Sequence, residues 1–320
     1  MDLTLALAGL GVGIVVGLTG MGGGALMTPL LVLVFGVPPV AAVSSDLAAS
    51  AVMKPFGGWV HARRGTVNWK LVLWLCVGSV PSAFLGVLVL RLLGDDASVQ
   101  HTIKISLGVA LLLAAGGLLL KAWVTRRQRG DTPPEPITVR SVPTLLLGAA
   151  GGVVVGLTSV GSGSLIIVAL LALYPKLRAN DLVGTDLVQA VPLVLSAAIG
   201  HAFFGDLHLD LTAAVLLGSI PGVLLGARIS SRAPAGIVRT ALVIVLLASA
   251  LKLLDVPTLA VGVITGAVIV AAVVAGLVRR KVTRQAARRI PEQTGSGWAG
   301  PEQRSPGQAK PTDDVPRLPV

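Results

Sequence analysis

The chain has 320 residues, of which 53% are hydrophobic and 13% are charged, and its mean hydropathy is +0.84. A soluble domain carries about 25% charged residues, so this composition excludes an ordinary water-soluble protein and indicates a membrane protein. The net charge of +11 does not point to nucleic acid, because the basic residues lie between and after the apolar runs. One cysteine and four histidines exclude a disulfide framework and favour neither a metal site nor another cofactor.

Apolar segments separated by charge, proline or glycine follow one another from the N-terminus to about residue 278. They cover 3–18, 25–36, 43–62, 69–92, 102–124, 142–157, 164–175, 184–204, 209–230, 237–253 and 257–278. A membrane span needs about 20 residues, so the short segments 25–36 and 164–175 are predicted to be half-helices. Residues 279–320 are rich in Arg, Pro, Gly and Gln, and we predict a disordered basic tail there.

The two halves of the chain are related by an internal repeat. Residues 9–30, GLGVGIVVGLTGMGGGALMTPL, align with 148–169, GAAGGVVVGLTSVGSGSLIIVA, at an offset of 139. Further along, the offset becomes 140, where Asp46 matches Asp186 and His61 matches His201. A match that holds register over this distance indicates two copies of one structural unit.

The charges of the connecting segments indicate that the two copies have opposite orientations. The connection at 61–70 carries three Lys and Arg residues and no acid, whereas its counterpart at 201–210 carries two aspartates and neither Lys nor Arg. Because Lys and Arg accumulate in cytoplasmic loops, we predict that 61–70 is cytoplasmic and 201–210 is external.

The predicted fold is therefore an all-α polytopic membrane protein of two inverted-topology repeats, each a Gly-rich helical hairpin plus three transmembrane helices. The expected parts are a first repeat (1–124), a cytoplasmic linker (125–140), a second repeat (141–278) and a cytoplasmic tail (279–320). Inverted repeats with broken helices are typical of secondary transporters, whose site lies near the membrane midplane. The expected location is the cell inner membrane.

The tips of the two hairpins are the first candidate for a substrate site. Irregular backbone at membrane depth lines a cavity or is enclosed by protein, and the start of a short helix offers free amides and a positive dipole end to an anion. The candidate residues are Thr19, Gly20, Gly22, Gly23 and Gly24 in the first tip and Thr158, Ser159, Gly161, Ser162, Gly163 and Ser164 in the second. The alternative is that glycines let helices approach closely. We favour it for Gly9, Gly13 and Gly17 and for their repeat counterparts Gly148, Gly152 and Gly156.

Ionisable residues inside apolar runs form a second candidate group, because charges in the bilayer are costly and commonly functional. Asp46 and Asp186 each follow a Ser or Thr near the start of a predicted span. Either they cap helix N-termini, or they take part in substrate or proton coupling. Lys54 lies eight residues after Asp46 and is matched by Val194 in the second repeat. This lysine either attracts an anion or pairs with a carboxylate.

His61 and His201 lie near the ends of their predicted spans. A structural role is the simpler interpretation of each, and proton exchange is the alternative.

Several motifs in combination resemble the sulfite exporter TauE/SafE family, also called the toluene sulfonate uptake permease family. They are the paired Gly-rich hairpins at 17–25 and 156–164, SSDLAASAVMKPFGGWVHARRGTVNW at 44–69, GTDLVQAVPLVLSAAIGHAFFGDLHL at 184–209, and the pair GSVPSAFLG and GSIPGVLLG. The resemblance covers about residues 5–255. It implies an inner-membrane protein that moves sulfur-containing oxyanions or organosulfonates such as sulfite, thiosulfate or sulfoacetate.

The leading hypothesis is a secondary transporter for small anions that alternates access around the two hairpins. A membrane-embedded enzyme is disfavoured because the chain has neither an H-E-x-x-H nor a G-x-S-x-G pattern. A non-transporting scaffold subunit and a carrier of a different small solute are the remaining alternatives. The expected partners are a small anionic substrate and the lipid bilayer, with no nucleic acid, and a homodimer is one open assembly state.

Overall fold

The computed structural model describes residues 3–19, 24–63, 65–94, 96–127, 137–175, 177, 179–204, 208–230 and 235–288. Within these ranges every regular element is an α-helix. The helices are α1 (Leu3–Thr19), α2 (Gly24–Leu33), α3 (Pro39–Arg63), α4 (Trp69–Leu93), α5 (Ala97–Arg127), α6 (Ser141–Thr158), α7 (Leu165–Leu173), α8 (Ala179–Phe204), α9 (Leu209–Ser230), α10 (Ala235–Leu253) and α11 (Thr258–Arg288).

The helices confirm an all-α polytopic membrane protein. In the described part, five helical segments are long and apolar enough to cross a bilayer, over 69–93, 97–120, 141–158, 181–204 and 209–226. Large apolar side chains are exposed along these segments: Leu73, Leu113 and Leu224 are 61%, 56% and 60% exposed. Such side chains are stable on an outer surface when lipid, rather than water, surrounds it.

Two helix pairs pack closely through glycine, α1 against α9 and α6 against α4. A Cβ atom added to Gly9 would lie 2.6 Å from the Val215 carbonyl oxygen, and one added to Gly156 would lie 2.5 Å from that of Ala83. Real Cβ atoms do not come this close to main chain, so only glycine allows these backbone contacts. The predicted packing role of the spaced glycines in α1 and α6 is confirmed.

Helices α3 and α8 also pack against each other, and α8 contacts α4. Buried leucines fill the space between these helices and α7, including Leu47, Leu71, Leu170 and Leu193. A further apolar cluster joins α5 and α10 around Leu111. These two clusters enclose the polar residues of α3 and the turn between α6 and α7.

Hydrogen bonds group the connecting segments at the ends of the helices. Lys104 at the start of α5 forms an ion pair with Asp255, which follows α10. Asn68, before α4, donates its backbone N–H to Oγ1 of Thr185 in α8 over 3.0 Å. Each pair joins segments that lie far apart in the chain.

The chain forms two compact units, residues 1–272 and residues 273–320. In the second unit the described residues are helical as far as Arg288. The prediction of disorder from residue 279 is therefore wrong for 279–288, where Ala, Arg, Lys and Gln favour the helix. Residues 289–320 of the predicted tail lie outside the described residues, as does 128–136 of the predicted linker, whose first three residues belong to α5.

Candidate functional site

The two matched aspartates lie inside helices. α3 begins at Pro39 and α8 at Ala179, so Asp46 and Asp186 are each the eighth helical residue. A capping carboxylate lies at or before the first turn, so the capping interpretation is wrong for both. The helices begin earlier than predicted because Pro39 suits a first helical position and Asp181 supplies the first-turn acid of α8.

The turn between α6 and α7 has a backbone that requires glycine at two points. Gly161 and Gly163 have φ angles of 130° and 104°, which residues with a Cβ rarely adopt. Ser159, at the end of α6, is left-handed with φ of 58°. The backbone between α6 and α7 is therefore irregular over the six residues 159–164.

Some groups that were predicted to bind an anion form hydrogen bonds within this turn instead. Oγ1 of Thr158 lies 2.6 Å from the Val154 carbonyl oxygen, to which it donates. The carbonyl of Gly161 accepts from the backbone N–H groups of residues 164, 165 and 166 at 3.0–3.3 Å. The expectation of free amides at the start of α7 is therefore wrong for these three groups, because the tight turn folds its own carbonyl over them.

Asp46 binds the second tip directly. Its side chain is fully buried, and Oδ2 accepts hydrogen bonds from Oγ of Ser159 at 2.6 Å and from Oγ1 of Thr28 at 2.8 Å. Oδ1 is buried and has no hydrogen-bond partner among the described residues. A carboxylate that accepts two hydroxyl hydrogens on one oxygen is held firmly in place, while its other oxygen remains open to a proton or ligand.

Lys54 also contacts the second tip. Its ammonium donates to Oγ of Ser162, and the lysine is only 6% exposed. The carboxylates of Asp186 and Asp46 both act on it electrostatically. Lys54 therefore donates to a hydroxyl of the turn and lies within electrostatic reach of two carboxylates.

Several other polar atoms are buried around this cluster. Gln189 of α8 accepts from Oγ of Ser79 at 3.3 Å through Oε1, while its Nε2 has no partner in the described part of the chain. The hydroxyls of Ser45 and Ser50 on α3 are likewise buried without a partner there. Buried polar atoms without partners are rare in native proteins, so their accumulation here favours a site for a ligand or water.

The remaining candidates lie in different surroundings. Oγ1 of Thr66 lies 3.0 Å from Nδ1 of His61, which is half-buried. His201 is fully buried in the last turn of α8, with Nε2 3.4 Å from the Gly156 carbonyl oxygen. In the second tip, Ser164 is buried before α7.

Most of the first tip lies outside the described residues. Gly20, Gly22 and Gly23 are among the residues not described, and Thr19 is described only as the last residue of α1. Gly24, the first residue of α2, packs directly against the main chain of Ser159. The beginning of α2 in the first half therefore contacts the tip of the second half.

Sequence reasoning missed Thr28 and Gln189. Each is a lone polar residue in an apolar run, LMTPLL and LVQAVPL, and this is the signal that could have found them. The search for intramembrane groups considered only ionisable side chains, whereas a buried hydroxyl or amide is also costly unless it is hydrogen-bonded.

A cavity of about 410 Å³ lies at the end of the helices where α3 connects to α4. Asn68, Lys70 and Asp181 are among the residues that line it. Asn68 is hydrogen-bonded to Thr185, the residue before Asp186. The cavity therefore lies beside the start of α8, where Asp181 lines it and Thr185 bonds Asn68.

Comparison with known proteins gives the family. The sulfite exporter TauE/SafE family model matches residues 5–253. A Bacillus subtilis (strain 168) protein, "Probable membrane transporter protein YjnA", is 41% identical over 258 residues, which are 79% of this chain and 100% of that protein. Another from the same organism, "Probable membrane transporter protein YdhB", is 25% identical over 72% of this chain and 91% of its own. A "Probable membrane transporter protein" of Xylella fastidiosa (strain Temecula1) is 28% identical over 72% and 85%.

No solved structure matches the chain. The family and the names of the relatives indicate a multi-pass membrane transporter with a small-molecule substrate, rather than an enzyme. The resemblance inferred from the paired hairpins and the matched aspartates is confirmed. The chain belongs to the sulfite exporter TauE/SafE family.

Proposed function

We propose that the chain is a secondary transporter of small anions in the cell inner membrane. Its substrates are sulfur-containing oxyanions or organosulfonates of the sulfite, thiosulfate and sulfoacetate type. The observation that carries the proposal is the buried ammonium of Lys54 against Ser162 in the glycine-rich turn. The description of the family as sulfite exporters supports the substrate class.

Lys54 and Ser162 together have the donors that an oxyanion needs. A serine hydroxyl has one hydrogen to donate and two lone pairs, and in the described structure Ser162 uses a lone pair to accept from Lys54. Its hydrogen is therefore available to an anion oxygen beside the ammonium. Thr158 and Ser159 are less suited, because each donates to a protein oxygen.

Reciprocal packing supports the proposal of two inverted repeats. The first helix of each half packs on the fourth helix of the other: α1 on α9, and α6 on α4. The third helices of the halves, α3 and α8, pack against each other and carry the matched aspartates. In alternating access, the repeats tilt against each other around this shared region and expose it to each side in turn.

The cavity at the end of α3 supports a cytoplasmic route to the site. The positive-inside pattern assigns this end to the cytoplasm, and Lys70 and Asn68 line the opening. Lys70 is the basic residue of this lining and Asp181 is its acid, so the opening offers a cation to an anion without carrying a net positive charge. Beside this opening the segment before α4 packs against Gly184 and Thr185, and release of this contact would extend the cavity toward Asp186.

Ligand-induced stabilisation tests the proposal. Purified protein is melted with sulfite, thiosulfate, sulfoacetate, sulfate and acetate in turn, and a ligand at 100 times its Kd stabilises by about 2.7 kcal/mol. We expect a sulfur oxyanion to raise the melting temperature and Lys54→Met to abolish the rise. Lys252→Met, which removes an exposed lysine that bonds Thr258, is the control. In this variant the ligand should still raise the melting temperature. Equal shifts in both variants, or no shift with any anion, would contradict the proposal.

A further inference from the structure

The candidate site contains more negative than positive charge. Asp46, Asp186 and Lys54 are 0%, 1% and 6% exposed. Counted over the described residues of the cluster, two carboxylates and one ammonium leave one negative charge when all are ionised. An uncompensated buried charge is strongly unfavourable, and an anion bound beside Lys54 would add to the excess.

We propose that Asp46 takes up a proton on Oδ1 and that this proton crosses the membrane together with the anion. This inference rests on the proposed anion transport and adds the coupling ion and its site. The step is a proton transfer: an O–H bond forms at Oδ1 with a proton from water on the entry side, and it breaks on the exit side.

The hydrogen bonds of Asp46 favour Oδ1 as the proton site. Both hydroxyl donors, Ser159 and Thr28, bind Oδ2. Oδ1 is buried and lacks a hydrogen-bond partner among the described residues. A proton on Oδ1 would therefore neutralise the carboxylate without displacing either donor.

The charged groups around Asp46 can be followed element by element. Lys54 on its own helix acts on it directly, and Asp186 on α8 acts on Lys54. α2 and the turn at 159–164 contain no ionisable residue. α3 also carries His61 and Arg63 in its last turn, and α8 carries Asp181 in its first turn and His201 in its last. On α9 the ionisable residues are Asp210 and Arg228, toward its two ends. On α5 they are His101 and Lys104 near the start, with Lys104 paired to Asp255, and Lys121, Arg126 and Arg127 near the end. Lys54 is thus the group through which an arriving anion changes the field at Asp46.

The turn between α6 and α7 links the proton to the anion. Ser159 bonds Asp46, and Ser162, three residues later, bonds Lys54. Hydrogen bonds to an ionised carboxylate are about twice as strong as those to neutral groups. Protonation of Asp46 therefore weakens the hydrogen bond from Ser159 while the anion beside Lys54 accepts from Ser162. The tip is then held less firmly against α3 at Ser159, and the repeats can move.

The test uses the full chain in liposomes that contain a pH dye, with valinomycin and equal potassium holding the voltage near zero. Exchange of radiolabelled thiosulfate, sulfite, sulfate and sulfoacetate is measured first. Proton entry is then measured while a gradient of an exchanging anion drives uptake. We expect internal acidification in proportion to anion uptake.

Variants test whether Asp46 carries the transported proton. Asp46→Asn should abolish proton movement with the anion, because an amide cannot take up the proton, whereas Asp46→Glu, which keeps a carboxylate, should retain coupling. Asp210→Asn, which removes an exposed acid of α9, should keep the wild-type ratio. Melting temperatures check that each variant is folded.

Each other outcome has a definite meaning. Anion exchange without proton entry, a wild-type ratio in Asp46→Asn, a loss confined to Asp186→Asn, or dependence on sodium instead of protons would overturn the proton site at Asp46 and leave anion transport standing. No exchange of any tested anion would overturn the proposed function and this inference with it.

Discussion

The hydroxyl of Ser159 donates a hydrogen bond to Oδ2 of Asp46 over 2.6 Å, between residues 113 positions apart. It connects the third helix of the first half to the hairpin tip of the second. Both residues are buried, so the bond forms away from water, where a charge-assisted hydrogen bond is strong.

A double-mutant cycle measures this connection. Hydrogen bonds to charged groups contribute about 1.5–3 kcal/mol, so we expect Ser159→Ala to lower the free energy of unfolding by about that amount. In the Asp46→Asn background the same change should cost much less, because the partner is no longer charged. Thr240→Ala, at an exposed site on α10, should be additive with Asp46→Asn. If Ser159→Ala were also additive with Asp46→Asn, the hydrogen bond between these two residues would contribute little to stability.

The packing of α1 on α9 gives a prediction with a control in the same helix. Gly9→Ala places a Cβ against the Val215 carbonyl, whereas a Cβ at Gly11 has open space within 4 Å. We expect Gly9→Ala to destabilise by about 1–3 kcal/mol, as overpacking does. Gly11→Ala should stabilise by about 0.5–1 kcal/mol, because it removes glycine from a helix interior. Thermal melts in detergent compare them, and similar melting temperatures for the two variants would rule out this close contact.

Opposite orientation of the two repeats predicts opposite labelling. In a chain with Cys76→Ala, single cysteines are introduced as Arg63→Cys, at the end of α3, and Asp210→Cys, at the start of α9. A membrane-impermeant maleimide applied to intact cells should label Asp210→Cys at once and Arg63→Cys only after permeabilisation. Labelling of both from the same side would exclude the inverted arrangement.

The ion pair of Lys104 and Asp255 predicts a small pH dependence of stability. The hydrogen bond from Lys104 holds the pKa of the Asp255 carboxyl below its ordinary value. The folded pKa is thus lower than the unfolded pKa of about 3.9. The stabilisation is therefore present above the unfolded value and is lost as the pH falls through the folded one.

Asp255→Asn tests this direction of the pH dependence. The melting temperature of the variant should lie slightly below that of the wild type near neutral pH, and this difference should disappear in acid. Because both side chains are partly exposed, added salt should also narrow the gap. A gap that widens as the pH falls would contradict the assignment.

Local patterns in the chain predicted the helices well. The predicted segments 69–92 and 209–230 end within one residue of α4 and α9, because a long apolar run bounded by charges defines a span. The predicted segments 43–62 and 184–204 begin after the true starts of α3 and α8, because charge, Pro and Gly bound the predicted segments, whereas Pro39 and Asp181 lie in the first turns of these helices. Helices buried inside a protein carry polar residues when partners on other helices bond them.

Composition, hydrophobic runs and the internal repeat were enough to establish a multi-pass helical membrane protein and its family, because these features depend on residues close together in the chain or matched at one offset. The contacts of Lys54 with Ser162 and of Asp46 with Ser159 and Thr28 could not be read in this way. They join helices from both halves, and their geometry follows from how closely α1 and α6 approach their partners. The distribution of charge and open hydrogen-bonding atoms in the site therefore arises only when the helices pack.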